Sequence, residues 1–585
     1  MNFINVVIGG IEDQVGALIF GWWGESFINL LNAPFGFHFV NSWKTNQPIF
    51  SFVFTEGIKV INPVIFSNIF AFFGIFLTVV LSFILFRALK FAWFLSLVLA
   101  LIFAFSPYVF MHIGIHPALS QIWLIPLFFQ RIILGKGLFF NKDHTFLNAV
   151  ITGFILALAV LISNYLGFFL ILFALCFFVS NLIYGVVINR SFFSRTLLRY
   201  CIVMFVSFVL LVTPFLFPYI KANYFAVPNN SVDVVSLSSQ RTFEDFQNFS
   251  ARPWYYILPP LAHPIFGKAV TRPVLDFMEN SWGYFLADDY FPKEHGGNFL
   301  GWLNLALFLV AITFAVRDIG RDFKCQKVDV KKQTQNCKFF YPRSTLKLIF
   351  TLTLTAFFLF LFTLPPFFTI SGHTIYTLGF LPYKFFPMFR VTARLSIVIL
   401  MCILIVNGSF LQSLFLQNAK LKSYIKAKSL LILLFVYLVF TLFEFYVPVS
   451  TFDTSKVPLV YEYLSRIEGQ TSFAFTGSNG NKGYYKGPLI IAEYPGGRSE
   501  DIFWITVHHK GLINPRMYKN YEFVFDSEKF TKELITKQGL AKATEYGVSY
   551  IVFHKDRDSK EGEEEFFRKF LEVEKDFGNV ILFRF

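Results

Sequence analysis

Long apolar stretches alternate with short polar connections along the chain. Ten of the apolar stretches are each close to the roughly 20 residues that an α-helix needs to cross the hydrocarbon core of a bilayer. They lie at 64–86, 92–111, 117–135, 145–163, 168–188, 199–219, 299–316, 346–363, 394–412 and 429–446. This pattern predicts an α-helical polytopic membrane protein with about ten transmembrane helices.

The positions of lysine and arginine predict the orientation of these helices. The two residues occur in alternate connections, near 87–90, 131–142, 190–199, 317–347 and 420–428, whereas the short connections of opposite parity contain neither. Because loops rich in lysine and arginine stay in the cytoplasm, the opposite connections are expected outside. The outer parts of the membrane domain are then the loops 1–62, 220–298 and 364–393.

The pattern changes after residue 446. Shorter apolar runs at Pro488–Tyr494, Tyr546–Phe553 and Asn579–Phe585 alternate there with charged stretches of helical character, at 457–466, 528–545 and 560–574. Such alternation favours strands that alternate with helices. We therefore divide the chain into a membrane domain, 1–446, and a small extracytoplasmic α/β domain, 447–585. The second lacks a glycine-rich phosphate loop, which suggests a recognition or packing module.

The composition agrees with a membrane protein and indicates which kind of partner to expect. Only 15% of the 585 residues are charged and 55% are hydrophobic, whereas soluble proteins carry about 25% charged residues. The net charge of +14 would suit a nucleic-acid partner. The basic residues cluster in connections between spans, however, where they set topology. We expect a bilayer as the partner and no nucleic acid, with the protein in the plasma (cytoplasmic) membrane.

An acidic pair stands close to the start of the chain. Glu12 and Asp13 precede Gln14 on a short polar loop, which leads into an aromatic, weakly amphipathic helix around Trp22-Trp23. The ten residues before this loop are too few to span a bilayer or to form a signal peptide. Either the chain inserts with its N-terminus outside, or a first membrane helix precedes Met1. We favour the second interpretation.

Short motifs along the whole chain carry a resemblance. In chain order they are Asp13-Gln14, Trp22-Trp23, Pro34-Phe35-Gly36, Phe105-Ser106-Pro107-Tyr108 with His112 and His116, Asn164-Tyr165-Leu166-Gly167, Leu258-Pro259 with His263-Pro264, Glu294-His295 with Leu300-Gly301, Phe389-Arg390-Val391-Thr392-Ala393-Arg394, and Tyr546-Gly547-Val548-Ser549-Tyr550-Ile551-Val552. Together they resemble bacterial polytopic membrane glycosyltransferases of the GT-C fold. The chain departs from that pattern at Glu12, where a glycine is usual, and in the missing first helix.

The resemblance implies a reaction at the outer membrane face. GT-C enzymes transfer a sugar from a polyprenyl-phosphate-linked donor to a glycan, lipid or protein acceptor. Asp13 matches the general base, and Glu12 and Gln14 lie beside it. Asp288 and Asp289 offer oxygen ligands for a divalent cation such as Mg²⁺ or Mn²⁺, although the sequence does not fix a cofactor. The alternative for Asp13 is an ordinary solvated acid on a loop.

Other polar residues are expected beside the departing lipid phosphate. Arg390 and Arg394, four residues apart at the start of a span, would project from one helical face and grip phosphate oxygens. Arginines in such positions also anchor helices to lipid headgroups. The remaining candidates for substrate or phosphate binding are His112, His116, Glu294 and His295. His112 and His116 share the four-residue spacing, which fits a metal or proton site, but we favour a helix cap or a contact with lipid headgroups.

Two further function classes stay open. A transporter or flippase of lipid-linked saccharide would place ionisable residues near the middle of the bilayer. The spans carry almost no charge there, which disfavours transport. A non-catalytic scaffold for envelope assembly would leave the acids as surface groups.

Overall fold

A computed structural model of the chain gives the fold. It describes residues 6–8, 30, 33–34, 37–38, 47–113, 116–134, 145–186, 195–224, 243–282, 292–327, 339–370, 373–386, 388–419, 424–449, 451–476, 482–496, 498–515, 522–523, 525–557 and 559–585. Up to residue 445 its helices are α1 (Pro48–Val60), α2 (Pro63–Ala88), α3 (Trp93–Ala104), α4 (Pro107–His112), α5 (Leu124–Leu134), α6 (Thr145–Ile162), α7 (Asn164–Tyr184), α8 (Arg195–Tyr224), α9 (Phe243–Phe249), α10 (Arg272–Trp282), α11 (Pro292–Asn298), α12 (Trp302–Lys327), α13 (Arg343–Thr363), α14 (Phe380–Phe385), α15 (Ser396–Ala419) and α16 (Tyr424–Phe445).

The predicted spans are present in the described residues. Seven segments are long and apolar enough to cross a membrane, and α3 together with α4 forms one of them. Three shorter apolar helices, at Leu124–Leu134, Phe146–Ile162 and Leu431–Phe445, match the other predicted spans. The prediction of a polytopic membrane protein with about ten spans is confirmed.

The ends and faces of the spans follow from local chemistry. At the start of α2, the Asn62 side chain accepts hydrogen bonds from the amides of Val64 and Ile65, which satisfies two N–H groups that the helix leaves open. Large apolar side chains on the outside of the bundle remain exposed, among them Phe72, Phe76, Phe205, Leu210, Ile432 and Phe435. These surfaces are the ones that a bilayer would cover.

The helix α15 is the centre of the bundle. It is almost wholly buried, and it packs against α3, α12 and α13. Elsewhere small residues let helices approach closely, as is usual in membranes. A Cβ atom on Gly153 of α6 would lie 2.5 Å from the carbonyl oxygen of Met204 on α8. Alanine at this position would therefore push α6 and α8 apart.

Buried charged residues in the described spans lie toward helix ends. Glu444 is the second-last residue of α16, and Arg131 lies in the last turn of α5. Asp318 accepts hydrogen bonds of 2.7 and 2.9 Å from the amides of Phe340 and Tyr341, on the connection before α13. This placement agrees with spans that carry little charge in mid-membrane.

The predicted outer loops contain regular elements that the sequence patterns did not predict. The loop 1–62 holds α1, and the loop 364–393 holds a hairpin followed by α14. The short elements of these regions are strands β1 (Val6–Ile8), β2 (Phe37–His38), β3 (Phe367–Ile370) and β4 (His373–Tyr376), and 3₁₀ turns at Pro253–Tyr256 and Thr392–Leu395. Such short elements depend on tertiary packing, so local periodicity does not reveal them.

The C-terminal region forms an α/β layer structure. Its elements are β5 (Thr451–Asp453), α17 (Leu459–Arg466), β6 (Gln470–Thr476), β7 (Lys482–Pro488), β8 (Ile490–Tyr494), α18 (Ser499–His508), β9 (Gly511–Leu512), β10 (Glu522–Phe523), α19 (Ser527–Glu533), α20 (Lys537–Glu545), β11 (Val548–His554), α21 (Glu563–Phe570), β12 (Glu572–Asp576) and β13 (Val580–Arg584). Among its described residues, five strands form a sheet in the order β12-β13-β11-β8-β9. Strands β9, β8 and β11 are parallel, and β13 and β12 run antiparallel to their neighbours.

Separate apolar layers cover the two faces of this sheet. Tyr461, Phe503 and Trp504 of α17 and α18 lie on one face, and Phe530 and Phe567 of α19 and α21 lie on the other. The three predicted apolar runs correspond to β8, β11 and β13. The prediction of helix over the whole of 560–574 was wrong, because the chain turns after α21 and forms the edge strand β12. The α18 helix and the β6–β7 hairpin were not predicted.

The N-terminal segment contacts the C-terminal domain at three places. Strand β1 pairs antiparallel with β5, and β2 pairs with β10. The amide of Leu512 also donates a 2.8 Å hydrogen bond to the carbonyl of Leu30. Residues at the two ends of the chain are thus held on the same side of the bundle.

The C-terminal domain should lose stability in acid through His508. Burial lowers the pKa of His508 to about 3, with help from the nearby charges of Lys510 and His509. An unfolded histidine titrates near 6.5, so the unfolded state binds the proton first and stability falls as pH drops below about 6.5. The loss is about 1.6 kcal/mol between pH 6.5 and pH 5, which predicts a fall of about 16-fold in the amide-exchange protection factors of α18.

Hydrogen exchange of the full-length protein at the two pH values checks this prediction. His508→Gln should remove most of the acid sensitivity. The matched control is His509→Asn at the exposed neighbouring position. This variant should keep the acid sensitivity of the wild type. Equal acid sensitivity in wild type and His508→Gln would show that another group is responsible.

Candidate functional site

Two histidines at the end of the α3–α4 span are the first component of the site. His112 is buried at the end of α4, and its Nδ1 lies 2.7 Å from the carbonyl oxygen of Tyr108. Because a carbonyl can only accept, this Nδ1 carries the hydrogen. The rings of His112 and His116 lie 5.7 Å apart. The two imidazoles therefore lie close together, although α4 ends at His112 and does not carry both residues on one helical face.

Arg394 meets these histidines from a distant part of the chain. It lies in the 3₁₀ turn before α15, and 8% of its surface is exposed. Its Nη2 donates to Nε2 of His116 at 3.2 Å. Its guanidinium carbon lies 5.4 Å from the ring centre of Tyr165 at the start of α7, within the range of a cation–π contact. Three segments that the sequence singled out separately thus converge on one guanidinium.

Arg390 occupies a different position. Its guanidinium carbon lies 4.4 Å from the ring centre of Phe249, at the end of α9, and the side chain is half-buried. The prediction that Arg390 and Arg394 project from one helical face was wrong. Val391, with φ −91° and ψ 68°, is not helical, and regular helix begins after it. The two arginines instead contact separate aromatic rings.

Helix α11 packs against α4 and against the 3₁₀ turn of Arg394. It carries two predicted site residues, Glu294 and His295. His295 is fully buried, and its ring lies 4.7 Å from that of Tyr255. The side chain of Glu294 lies outside the described residues. A Cβ atom on Gly297 would lie 3.4 Å from Cε1 of His112, so this position already makes close contact with the histidine.

A threonine at the end of α13 ties the outer segments together. The carbonyl of Thr363 accepts from the amide of Ala251 at 2.8 Å and from the hydroxyl of Thr392 at 3.3 Å. The Tyr256 hydroxyl donates to Oγ1 of Thr363 at 2.7 Å, and burial raises the pKa of Tyr256 far above its ordinary value, so the phenol stays neutral. Thr363 thereby joins the loop 220–298 to the loop 364–393. Sequence patterns gave no sign of this role.

Arg252 is a further cation in the same region. It is 2% exposed, and its Nη1 donates to the carbonyls of Gln247 at 2.9 Å and Ser250 at 3.2 Å. Its Nη2 is buried without a hydrogen-bond partner among the described residues. A buried guanidinium with an open donor suits an anionic ligand.

The remaining predicted residues, Glu12, Asp13, Gln14, Asp288 and Asp289, lie outside the described residues. The segment just before the acidic pair is described, however. Asn68 of α2 accepts from the amide of Ile8 at 3.0 Å and donates to the carbonyl of Val6 at 2.8 Å. Ile8 packs in one apolar cluster with Ile113, the residue after His112. Five residues separate Ile8 from Asp13, which is a reach of at most about 18 Å.

One group with metal-ligand spacing lies in the C-terminal domain. The ligand atoms of Glu493, Asp501 and His554 lie within 4.8 Å of one another, and all three residues are buried. These atoms already serve each other and their neighbours. His554 Nε2 lies 2.6 Å from Glu493, and Arg557 binds Asp501 through bonds of 2.6 and 3.0 Å. The three residues and Arg557 therefore form a buried ion-pair network, which joins the ends of β8 and β11 to α18.

Comparison with known proteins identifies the fold. No protein-family model and no curated protein matches the sequence. The structure is similar to the cryo-EM structure of the arabinofuranosyltransferase AftD from Mycobacteria, with a TM-score of 0.54 and 12% identity. That match covers 99% of this chain and 38% of AftD, so the chain spans less than two fifths of the length of that protein.

Two other solved structures match with lower scores. The first is the oligosaccharyltransferase AglB from Archaeoglobus fulgidus in complex with an inhibitory peptide and a dolichol-phosphate. Its TM-score is 0.48 at 12% identity, and the match covers 94% of this chain and 66% of AglB. The second is ArnT from Cupriavidus metallidurans bound to undecaprenyl phosphate, with a TM-score of 0.40 at 11% identity and coverage of 99% of this chain and 94% of ArnT. The arrangement of spans shared with AftD over nearly the whole chain shows that this protein has the GT-C fold of polytopic membrane glycosyltransferases.

Proposed function

We propose that the protein is an integral membrane glycosyltransferase, which transfers a sugar from a polyprenyl-phosphate-linked donor to a cell-envelope acceptor at the outer face of the plasma membrane. The observation that carries this proposal is the convergence of Arg394, His116 and α11 at one end of the spans, within a GT-C fold. A buried guanidinium at that depth suits a phosphate that enters from the lipid.

In the proposed reaction, the acceptor hydroxyl forms a bond to the anomeric carbon while the bond from that carbon to the phosphate oxygen breaks. Asp13 takes the hydroxyl proton, with Glu12 and Gln14 beside it, and the configuration inverts. Arg394 and Arg390 stabilise the charge on the departing polyprenyl phosphate. Glu294 and His295, both on α11, are the further candidates for substrate binding. The C-terminal domain lies outside the membrane and covers this site.

A divalent cation would fit the proposed reaction through Asp288 and Asp289. Carboxylate oxygens are the ligands that Mg²⁺ and Mn²⁺ prefer, and the two acids precede α11 by only a few residues. A cation bound there would supply positive charge near the donor phosphates. The arginines can supply the same charge.

Donor turnover in nanodiscs tests the proposed function. The purified chain is mixed with a panel of polyprenyl-phosphate pentoses and hexoses and an envelope extract, and released polyprenyl phosphate is measured by mass spectrometry. Enzyme-dependent release supports transfer. Movement of intact donor between leaflets without release would favour the flippase alternative. If neither release nor movement is detected, the result favours the scaffold.

Asn68→Ala should lower transfer by releasing the segment that carries the acidic pair. Asn68 is buried and binds both Val6 and Ile8, and each hydrogen bond contributes about 1 kcal/mol. We expect faster hydrogen exchange at residues 6–8 and a fall in kcat/KM of about tenfold. Asn68→Asp keeps the acceptor for the amide of Ile8, so kcat/KM should fall less than in Asn68→Ala. Unchanged exchange at 6–8 together with full activity would contradict this role.

A further inference from the structure

The outer loop between α13 and α15 has one packed side. In the hairpin, Phe367 stacks on Phe243 of α9, with ring centres 4.3 Å apart. Tyr383 of α14 contacts Phe246 of the same helix at 5.2 Å. The Thr377 hydroxyl donates to the carbonyl of Pro365 at 2.6 Å and accepts from the amide of Gly379 at 2.9 Å. The hairpin and α14 are therefore firmly held to the rest of the protein.

The opposite side of the same element is apolar and exposed. Its large side chains are 41–61% exposed, namely Ile375, Leu381, Phe385 and Phe386. Water is a poor environment for a patch of this kind, and such patches mark contact surfaces. Since the other side is already packed, this side is free to meet a partner.

The depth of α14 relative to the spans points to the partner. The ring of Phe386, just after α14, lies 5.8 Å from that of Phe168. Phe168 stands four residues inside the start of the span α7, which is about 6 Å along the helix. The end of α14 therefore lies level with the first turns of a membrane helix.

The charge of this loop points the same way. Residues 364–395 contain Lys384, Arg390 and Arg394 and no acidic residue. An outer loop is expected to be poor in lysine and arginine, so this excess calls for a local reason. Lys384 lies over the rings of Phe380 and Phe385 at 5.9 and 5.8 Å. Its ammonium group therefore lies on the exposed surface of α14, beside the apolar side chains.

We propose that the β3–β4 hairpin and α14 insert into the outer leaflet of the bilayer and bind anionic phospholipid headgroups through Lys384. The apolar side chains enter the acyl region, and Lys384 pairs with phosphate at the surface. The element stands directly before Arg390, so it places a lipid-bound edge beside the candidate site. This inference does not depend on sugar transfer and holds for any function of the protein.

Site-directed fluorescence on the full chain tests the insertion. The five native cysteines, Cys176, Cys201, Cys325, Cys337 and Cys402, are first replaced by alanine, and an environment-sensitive dye is attached to Phe385→Cys in nanodiscs. We expect blue-shifted emission and at least about twofold quenching by lipids that carry a nitroxide near the headgroup. The matched control is Tyr484→Cys on β7 of the C-terminal domain, which is 68% exposed. Emission at Phe385→Cys as polar as that of the control would overturn the proposal.

The headgroup part of the proposal has its own test. Quenching at Phe385→Cys should rise when phosphatidylglycerol replaces part of the neutral lipid, and Lys384→Glu should abolish this rise. Lys384→Arg should preserve it. Quenching that is independent of anionic lipid, or a rise that survives Lys384→Glu, would show that Lys384 does not bind headgroups.

Discussion

Arg394→Ala is expected to lower kcat/KM for donor turnover by about 100-fold or more, because loss of one preorganised charge contact in a transition state costs about 2.7–4 kcal/mol. The guanidinium is 8% exposed and lies between His116 and the ring of Tyr165. A cation held in that position needs little reorganisation when phosphate charge develops. The measurement is steady-state release of polyprenyl phosphate in nanodiscs.

Variants of the same contacts separate catalysis from folding. Arg394→Lys keeps the charge but loses the planar fork, so we expect an intermediate loss. His116→Gln keeps a group that can accept from Arg394, and it should cost much less than Arg394→Ala. Thermal unfolding of each variant is measured in parallel. A loss of activity that tracks the loss of stability across all three would assign Arg394 a structural role.

Local pattern was sufficient to predict the spans and the main strands. In the run Ile490–Tyr494 every residue except Glu493 is apolar, and this strand is buried on both faces between α18 and α21. Helices of about twenty apolar residues leave few alternatives in a chain of this composition. Both signals arise from residues close in sequence, which is why they could be predicted without any knowledge of tertiary contacts.

The partners within the candidate site could not be predicted in this way. His116 and Arg394 were each identified as candidates, but they are 278 residues apart, and nothing in either motif names the other. The geometry proposed for Arg390 and Arg394 failed because it assumed that helix begins at Arg390. A single non-helical residue, Val391, changes the direction of the chain there.

Very short elements could not be predicted from the sequence either. Strand β1 has three residues, and its formation depends on pairing with β5 and on the Asn68 side chain. Yet β1 is the element that holds the segment before Glu12 and Asp13 beside Ile113. The described segment before the acidic pair therefore depends for its position on contacts with residues far away in sequence.

Asp13→Asn is expected to reduce transfer by about 10²–10⁴-fold, the contribution typical of a general base. The substitution keeps the size of the side chain but removes its ability to accept a proton. Because asparagine has nearly the same shape as aspartate, the membrane-inserted fold is expected to be unaffected. Donor turnover is measured from pH 4.5 to 8. Wild type should lose activity in acid as the carboxylate becomes protonated, and Asp13→Asn should lack that limb of the profile.

The neighbouring acid provides the matched control for this prediction. Glu12→Gln changes charge by the same amount, one residue away, so it reports any general effect of lost negative charge at the loop. Because the resemblance matches Asp13 and not Glu12 to the general base, we expect Glu12→Gln to retain most activity and the acidic limb. If Asp13→Asn turned over the donor as fast as wild type while Glu12→Gln did not, the base would be Glu12. If both variants remained fully active, the proton would have to be accepted by another group, and the acidic pair would have no part in the reaction.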